Sequence, residues 1–149
     1  MTRYLIPLTL LLAIVAGCAA PAEPEGGPEM ALLTPYLQVQ VALAGDTLEG
    51  VPAAANQVAD EADRIGAGGE AIAAGAHAVA NAADLEAART AFGELSDAVL
   101  AYTTAEGIEP QNLRVAYCPM VNKSWYQRGD AIRNPFYGSA MLECGAFKK

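Results

Sequence analysis

An apolar stripe with helical spacing runs through LEAARTAFGELSDAVLAY, residues 85–102. Its apolar members recur at intervals of three and four residues, which places them on one face of an α-helix. The same intervals appear in two neighbouring segments, residues 48–65 and 72–83. Alanine, the residue with the highest helix propensity, supplies 23 of the 80 residues between 30 and 109. The sequence therefore predicts a helical body with many small core residues.

Capping residues divide this body into helices. Thr34-Pro35 is typical of a helix start, Asp46 with Glu49 matches a capping box, and Asp84 is a predicted N-cap. Four helices joined by short connections favour antiparallel packing. The predicted fold class is all-α: an up-and-down helical bundle of about four helices, with an irregular C-terminal segment rich in Cys, Met and aromatic residues.

The N-terminus has the layout of an export signal. Arg3 precedes an apolar run over residues 5–15, which at about 1.5 Å per residue is too short to span a hydrocarbon core of roughly 30 Å. Val15-Ala16-Gly17-Cys18 resembles the lipobox of bacterial lipoproteins, in which the cysteine becomes the acylated first residue of the mature chain. The resemblance implies a membrane anchor through acyl chains on Cys18. The alternative is an ordinary signal peptide cut near Ala20.

These features predict three parts of the chain. Residues 1–17 form a lipoprotein signal peptide, residues 18–32 form the lipidated Cys18 and a Pro, Glu and Gly tether, and residues 33–149 form the helical domain. Ala19 in place of Asp implies, by the sorting pattern that accompanies the lipobox, the outer membrane. The expected location is the bacterial cell envelope, facing the periplasm.

Charge is distributed unevenly along the chain. The formal net charge is −8, which disfavours binding to nucleic acid. Residues 30–109 carry −10, whereas residues 110–149 carry +4 and hold six of the ten aromatic residues. The basic side chains of the C-terminal part either steer an acidic partner or pair with the acidic helices. They include Arg114, Lys123, Arg128 and Arg133.

Two Cys/Met pairs lie within the segment 115–145, which is the candidate metal-site segment. Cys118 and Met120 are two residues apart, so in an extended segment their side chains project to the same side. Met141 and Cys144 are three apart, which places them on one face of a helix. Thiolate and thioether ligands select soft ions, so Cu(I) is the first choice, ahead of Zn(II) and Ag(I).

His77, the only histidine, is a candidate further ligand from the helices. The alternative to a metal site is a structural disulfide between Cys118 and Cys144, worth roughly 3 kcal/mol in a small exported domain. Residue chemistry alone leaves both open. No enzyme is predicted, because the sequence contains no Cys-x-x-Cys pair and no phosphate loop, and no catalytic or cofactor-binding residue is assigned.

Aromatic side chains of the same segment have two interpretations. They either form a wall over the sulfur atoms, excluding water, or pack against the helices. Packing is favoured because aromatic residues dominate core energetics. The residues concerned are Trp125, Tyr126, Phe136 and Tyr137.

Several short motifs follow one another in this segment: Cys118-Pro119-Met120, Trp125, the residues 132–138, and Met141-Leu142-x-Cys144-Gly145. In this order they resemble the signature of a bacterial family described as a domain of unknown function. The family occurs in stand-alone exported proteins and fused to periplasmic adaptor subunits of copper and silver efflux pumps.

The resemblance implies a helical domain associated with heavy-metal export. We therefore expect a membrane-anchored periplasmic lipoprotein that binds Cu(I) as a carrier or an accessory to efflux, with metal-efflux or envelope proteins as partners. The alternative is a structural or protein-interaction domain of the cell envelope, with the disulfide and no metal.

Overall fold

Four helices and a three-stranded antiparallel sheet make up residues 28–149, the part of the chain that this computed structural model describes. The predicted signal peptide, Cys18 and the tether as far as residue 27 lie outside the described residues. The first helix begins within the predicted tether range. In chain order the elements are α1 (Pro28–Ala44), α2 (Val51–Ile65), α3 (Glu70–Ala80), α4 (Leu85–Ala105), β1 (Arg114–Cys118), β2 (Lys123–Gln127), a 3₁₀ turn (Gly138–Ala140) and β3 (Ala146–Phe147).

Each helix packs against the next one along the chain. α3 and α4 approach each other closely at Gly75, where a β-carbon would lie 2.9 Å from the Cα of Leu95. The two backbones can approach this far because residue 75 has no side chain. Within residues 28–149, no helix is both long and apolar enough to cross a membrane.

The start of α4 agrees with the sequence, and the start of α1 does not. Asp84 Oδ1 accepts a hydrogen bond from the Ala87 N–H at 2.8 Å, which confirms the predicted N-cap. The prediction of a helix start at Thr34 is wrong, because α1 already begins at Pro28 and contains Pro35. Burial of apolar side chains on both sides of this proline outweighs the one backbone hydrogen bond that it removes.

The predicted capping box of α2 is also wrong. Asp46 and Glu49 precede a helix that begins only at Val51, after Gly50 in a left-handed conformation. The Glu49 N–H instead donates to Thr47 Oγ1 at 3.0 Å. The Asp46 carboxylate instead accepts hydrogen bonds from Arg89 and from the Ser139 N–H, at the site described below.

A small sheet takes the place of the predicted irregular segment, so the chain is mostly helical but not all-α. β1 is the middle strand, and Ala116 pairs with Trp125 on one side and with Phe147 on the other. β1 ends at Cys118, the first residue of the Cys118/Met120 pair. β2 escapes prediction because residues 124–127 are all buried, which removes the alternation of apolar and polar residues.

Hydrogen bonds join β2 to the helices. The Tyr36 hydroxyl, on α1, accepts from the Tyr126 N–H at 3.3 Å and is hydrogen-bonded to Ser96 Oγ at 2.7 Å. The Tyr126 hydroxyl is hydrogen-bonded to Thr103 Oγ1 at 3.0 Å. Burial strongly raises the pKa of Tyr36, so its hydroxyl stays protonated and serves as a fixed link between α1, α4 and β2.

A chain of aromatic rings continues this link into the C-terminal segment. Tyr36 stacks on Phe92 with centroids 5.1 Å apart, and Phe92 contacts Phe136 at 6.0 Å. Phe136 in turn meets the edge of Trp125 at 5.6 Å. The rings therefore pack against the helices, as favoured from the sequence. Three of the four aromatic residues considered above are buried and the last is half-buried: Trp125, Tyr126, Phe136 and Tyr137.

Candidate functional site

Cys118 is the last residue of β1 and has no exposed surface. Because side chains alternate along a strand, it shares a face of the sheet with Ala116 and, across the β1–β2 pairing, with Trp125. Phe136 packs against Trp125, so the chain that follows β2 covers this face. The Cys118 thiol therefore lies beneath the C-terminal segment.

A glycine brings Cys144 to the same place. Continuing the β1–β3 register by one residue puts Gly145 opposite Cys118. Gly145 has φ +139°, and a β-carbon there would lie 2.8 Å from the Tyr117 carbonyl oxygen and 3.3 Å from the Trp125 indole. Only glycine lets the chain run this close to β1. Cys144 is carried next to Cys118 as a result.

The two cysteines are free thiols and neighbours. Burial raises the pKa of the Cys144 thiol, and the neighbouring Cys118 thiol raises it further. Cys144 is half-buried, whereas Cys118 is completely buried. Cys144 is therefore protonated at neutral pH, and any metal that binds there must displace its proton.

Asn134 holds the chain at Cys144 and at Leu142, two residues before it. This buried side chain donates from Nδ2 to the Cys144 carbonyl oxygen at 2.7 Å and accepts at Oδ1 from the Phe136 N–H at 2.8 Å. Its own N–H donates to the Leu142 carbonyl oxygen at 2.7 Å. These three hydrogen bonds of Asn134 therefore hold the cysteine segment in place.

Gln127 fixes the preceding loop in a similar way. Its Oε1 accepts from Trp125 Nε1 at 3.1 Å and from the Arg133 N–H at 3.0 Å. Its Nε2 donates to the carbonyl oxygens of Ala131 at 2.7 Å and Arg128 at 3.2 Å. All four hydrogen-bonding positions of this buried amide are occupied, which makes the loop after β2 rigid.

Asp46 and Arg89 attach the segment to the helices. Arg89 donates from Nη2 to Asp46 Oδ1 at 2.5 Å and from Nε to the Pro135 carbonyl oxygen at 3.0 Å. The Ser139 N–H donates to Asp46 Oδ2 at 2.9 Å. Hydrogen bonds from Ser139 and Arg89 lower the pKa of Asp46 to about 2. This long-range role explains why Asp46 does not cap α2.

The two methionines lie in turns rather than in the predicted elements. Met120 is 63 % exposed in the turn between β1 and β2, so the extended spacing that would align it with Cys118 has already ended. Met141 is half-buried, and the Cys144 N–H donates to its carbonyl oxygen at 3.0 Å. The predicted helical face is wrong, because the 3₁₀ turn ends at Ala140. Met141 nevertheless remains within one turn of Cys144.

His77 stands apart from the paired thiols. It is exposed on α3, a helix that contacts α2 and α4 and none of the strands among residues 28–149. The described part of the chain contains no cluster of three or more His, Cys, Asp or Glu side chains suited to a metal ion. The structure thus brings together Cys118 and Cys144, leaves Met141 beside them in the chain, and separates His77.

Basic side chains of the segment form ion pairs. Lys123 Nζ lies 2.7 Å from Glu94 Oε1 and 2.6 Å from Asp97 Oδ2, which raises the pKa of Lys123. This confirms, for Lys123, the predicted pairing with the acidic helices. Arg114 pairs instead with Asp130 of its own segment at 3.2 Å. Arg128 and Arg133 are exposed.

Sequence reasoning missed the polar side chains that hold the cysteine segment. Gln127 directly follows two aromatic residues and Asn134 directly precedes Pro135-Phe136, and an amide beside buried apolar residues is a signal for a buried hydrogen-bonding role. Asp46 and Arg89 are 43 residues apart in the sequence, so no local sequence pattern predicts their ion pair.

Comparison of the chain with protein-family models, with curated proteins and with solved structures gives no match in any of the three. The family resemblance described above stays a prediction. The paired thiols of Cys118 and Cys144 are the feature from which a function can be inferred.

Proposed function

We propose that the chain binds one soft metal ion, Cu(I) in the first place, through the thiols of Cys118 and Cys144. The observation that carries the proposal is that the β1–β3 register brings two free thiols next to each other, one buried and one half-buried. Thiolates select soft and borderline ions over hard cations. Binding would displace the thiol protons, so the apparent affinity would rise with pH.

The small number of ligands favours Cu(I) over Zn(II). A structural zinc site requires four nitrogen, oxygen or sulfur ligands. Met141 is joined to Cys144 by a single turn, so its thioether would be the further donor nearest in the chain. A thioether is a soft ligand that suits Cu(I) or Ag(I). The proposed set is therefore two thiolates with Met141 as an auxiliary ligand, without Met120 and His77.

The proposed setting is the bacterial envelope. The lipobox residues at Cys18 support a lipid anchor, and more than one acyl chain gives stable membrane attachment. The family resemblance supports an association with copper or silver export. The domain would then act as a carrier or efflux accessory, passing its ion to a partner by ligand exchange.

Competition for Cu(I) tests the proposal. The full chain carrying Cys18→Ala, reduced and free of metal, is titrated against a colorimetric Cu(I) chelator. We expect one Cu(I) held per chain, and loss of this ion in a variant with Cys118→Ser and Cys144→Ser. Met120→Leu is the matched control and should keep the ion, whereas Met141→Leu should weaken its binding. Equal chelator competition by the parent and the double variant would exclude the site.

A structural disulfide between Cys118 and Cys144 is the second candidate function of the pair, supported by the same observation. In an oxidising compartment such a bond would close the loop between β1 and the end of the chain and stabilise the domain by about 3 kcal/mol. The domain would then serve as a structural or protein-interaction module. Mass spectrometry without reductant, on protein taken directly from cells, distinguishes the two. A stoichiometric bridge that copper supply does not change favours the disulfide.

A further inference from the structure

The two neighbouring thiols differ in access from solvent. Cys118 has no exposed surface and lies beneath the C-terminal segment. Cys144 is half-buried and follows Glu143, which is exposed. Cys144 therefore keeps surface that a reagent in solution can reach, whereas Cys118 keeps none. Access of this kind decides which sulfur takes part first in thiol–disulfide exchange.

We propose that Cys144 is a site of covalent modification by low-molecular-weight disulfides, and that Cys118 resolves the adduct. The inference follows from the β1–β3 register, which brings Cys144 next to Cys118, and from the unequal burial of the two cysteines. It concerns the same pair as the proposed metal site but needs no metal. Failure of metal binding would therefore leave it intact, and the reverse also holds.

The reaction proceeds in two exchanges. The Cys144 thiol loses its proton to solvent, and its thiolate attacks one sulfur of the disulfide RSSR. The sulfur–sulfur bond of RSSR breaks, RS⁻ leaves and takes up a proton, and a Cys144–SR bond has formed. The Cys118 thiol then loses its proton and attacks the Cys144 sulfur, which releases the second RS⁻. In total, RSSR is reduced to two RSH, and the two cysteines are oxidised to one disulfide.

The buried thiol of Cys118 ends the exchange by forming a disulfide with Cys144. In the adduct, the Cys118 sulfur is the nearest thiol to the new bond, so the second step is intramolecular and needs no further reagent. The oxidised pair has no thiolate left to bind an ion. Exchange at Cys144 would accordingly release a metal held by the pair when the surroundings become oxidising.

Oxidised glutathione is the probe that tests this order. The starting protein is the metal-free, reduced full chain with Cys18→Ala. Its mass should fall by two hydrogen atoms as the disulfide forms. The adduct with one glutathione should appear only as a transient intermediate. Adding Cys118→Ser should trap a stable adduct of one glutathione at Cys144. Adding Cys144→Ser instead should give no adduct until the protein is denatured. Equal reaction of the two variants in the folded state, or a lasting adduct on the parent chain, would overturn the proposal.

A second measurement uses no serine variant and so does not depend on variants that fold. The reduced parent chain is pulsed briefly with iodoacetamide, quenched, digested and mapped by mass spectrometry. Alkylation of Cys144 should exceed that of Cys118 at least tenfold in the folded state and match it in denaturant. Equal alkylation of both cysteines in the folded state would contradict the proposed order of access.

Discussion

The backbone at Gly138 passes so close to Asp46 that a β-carbon at residue 138 would collide with the Asp46 carboxylate and with the Arg89 guanidinium. Gly138 also has φ +52°, a conformation that residues with a side chain rarely adopt. A side chain at position 138 would therefore have to displace the ion pair between Asp46 and Arg89. This ion pair joins the loop after α1, the helix α4 and the C-terminal segment.

Replacing Gly138 by alanine should lower the free energy of unfolding by about 3 kcal/mol, because it adds a clash to backbone strain. Urea unfolding measures the change. Gly129→Ala is the matched control: Gly129 has φ +80° with open space around its Cβ position, so it should cost about 1 kcal/mol from strain alone. Equal losses for the two variants would show that the contact with Asp46 does not matter.

The depressed pKa of Asp46 predicts a loss of stability in acid. A carboxylate whose pKa falls from 3.8 to about 2 on folding stabilises the folded state above its unfolded pKa and loses this effect as pH falls toward 2. The stability difference between the parent chain and Asp46→Asn should be constant above about pH 5 and shrink between about pH 4 and 2. Urea unfolding at several pH values measures it.

Asp130 provides the control for this pH dependence. Its side chain is 99 % exposed beside Arg114, so Asp130→Asn should leave the stability almost unchanged across the same range. A difference between Asp46→Asn and the parent chain that persists unchanged to pH 2 would contradict the assignment.

The helices were predictable because their information is local. The intervals of three and four in residues 85–102 need no knowledge of the rest of the chain, and Asp84 caps a helix that starts at the next residue. The same local reasoning failed at Asp46, where a capping pattern exists but a distant arginine competes for the carboxylate. The hydrophobic pattern also gave no sign of β2. Its residues 124–127 are all buried, so apolar and polar residues do not alternate along the strand.

Only part of the candidate site could be predicted from local features of the sequence. Residue chemistry singled out Cys118 and Cys144, and the structure makes them neighbours. The spacing rules for Met120 and Met141 assumed a strand and a helix that end before these residues. What joins the cysteines is the pairing of β1 with the two-residue β3, made possible by Gly145, and no periodicity in the sequence encodes such a contact.

The hydroxyl of Tyr36 should contribute about 2 to 3 kcal/mol to stability. Tyr36→Phe keeps the ring contact with Phe92 but leaves the Tyr126 N–H and the Ser96 hydroxyl without this partner in a buried place. Chemical denaturation measures the loss. Tyr102→Phe is the control, because the Tyr102 hydroxyl takes part in none of the hydrogen bonds found among residues 30–149, and it should cost under about 0.5 kcal/mol. Similar values for both would contradict the role of Tyr36 as a link.

Asn134 should matter both for stability and for the exposure of Cys144. Asn134→Ala removes the partners of the Cys144 carbonyl oxygen and of the Phe136 N–H, two backbone groups at a covered position. The expected loss is about 2 to 4 kcal/mol, measured by urea unfolding.

The same variant should also raise the rate of iodoacetamide alkylation at Cys144 in the folded protein, because its segment is no longer clamped. Asn56→Ala, exposed on α2, is the control and should change neither quantity by more than about 0.5 kcal/mol or twofold. An Asn134→Ala variant that loses stability while Cys144 reacts at the parent rate would show that Asn134 supports the core without positioning the cysteine. A faster reaction of Cys144 alone, with Cys118 still protected, would show that Asn134 limits access to Cys144 without affecting the burial of Cys118.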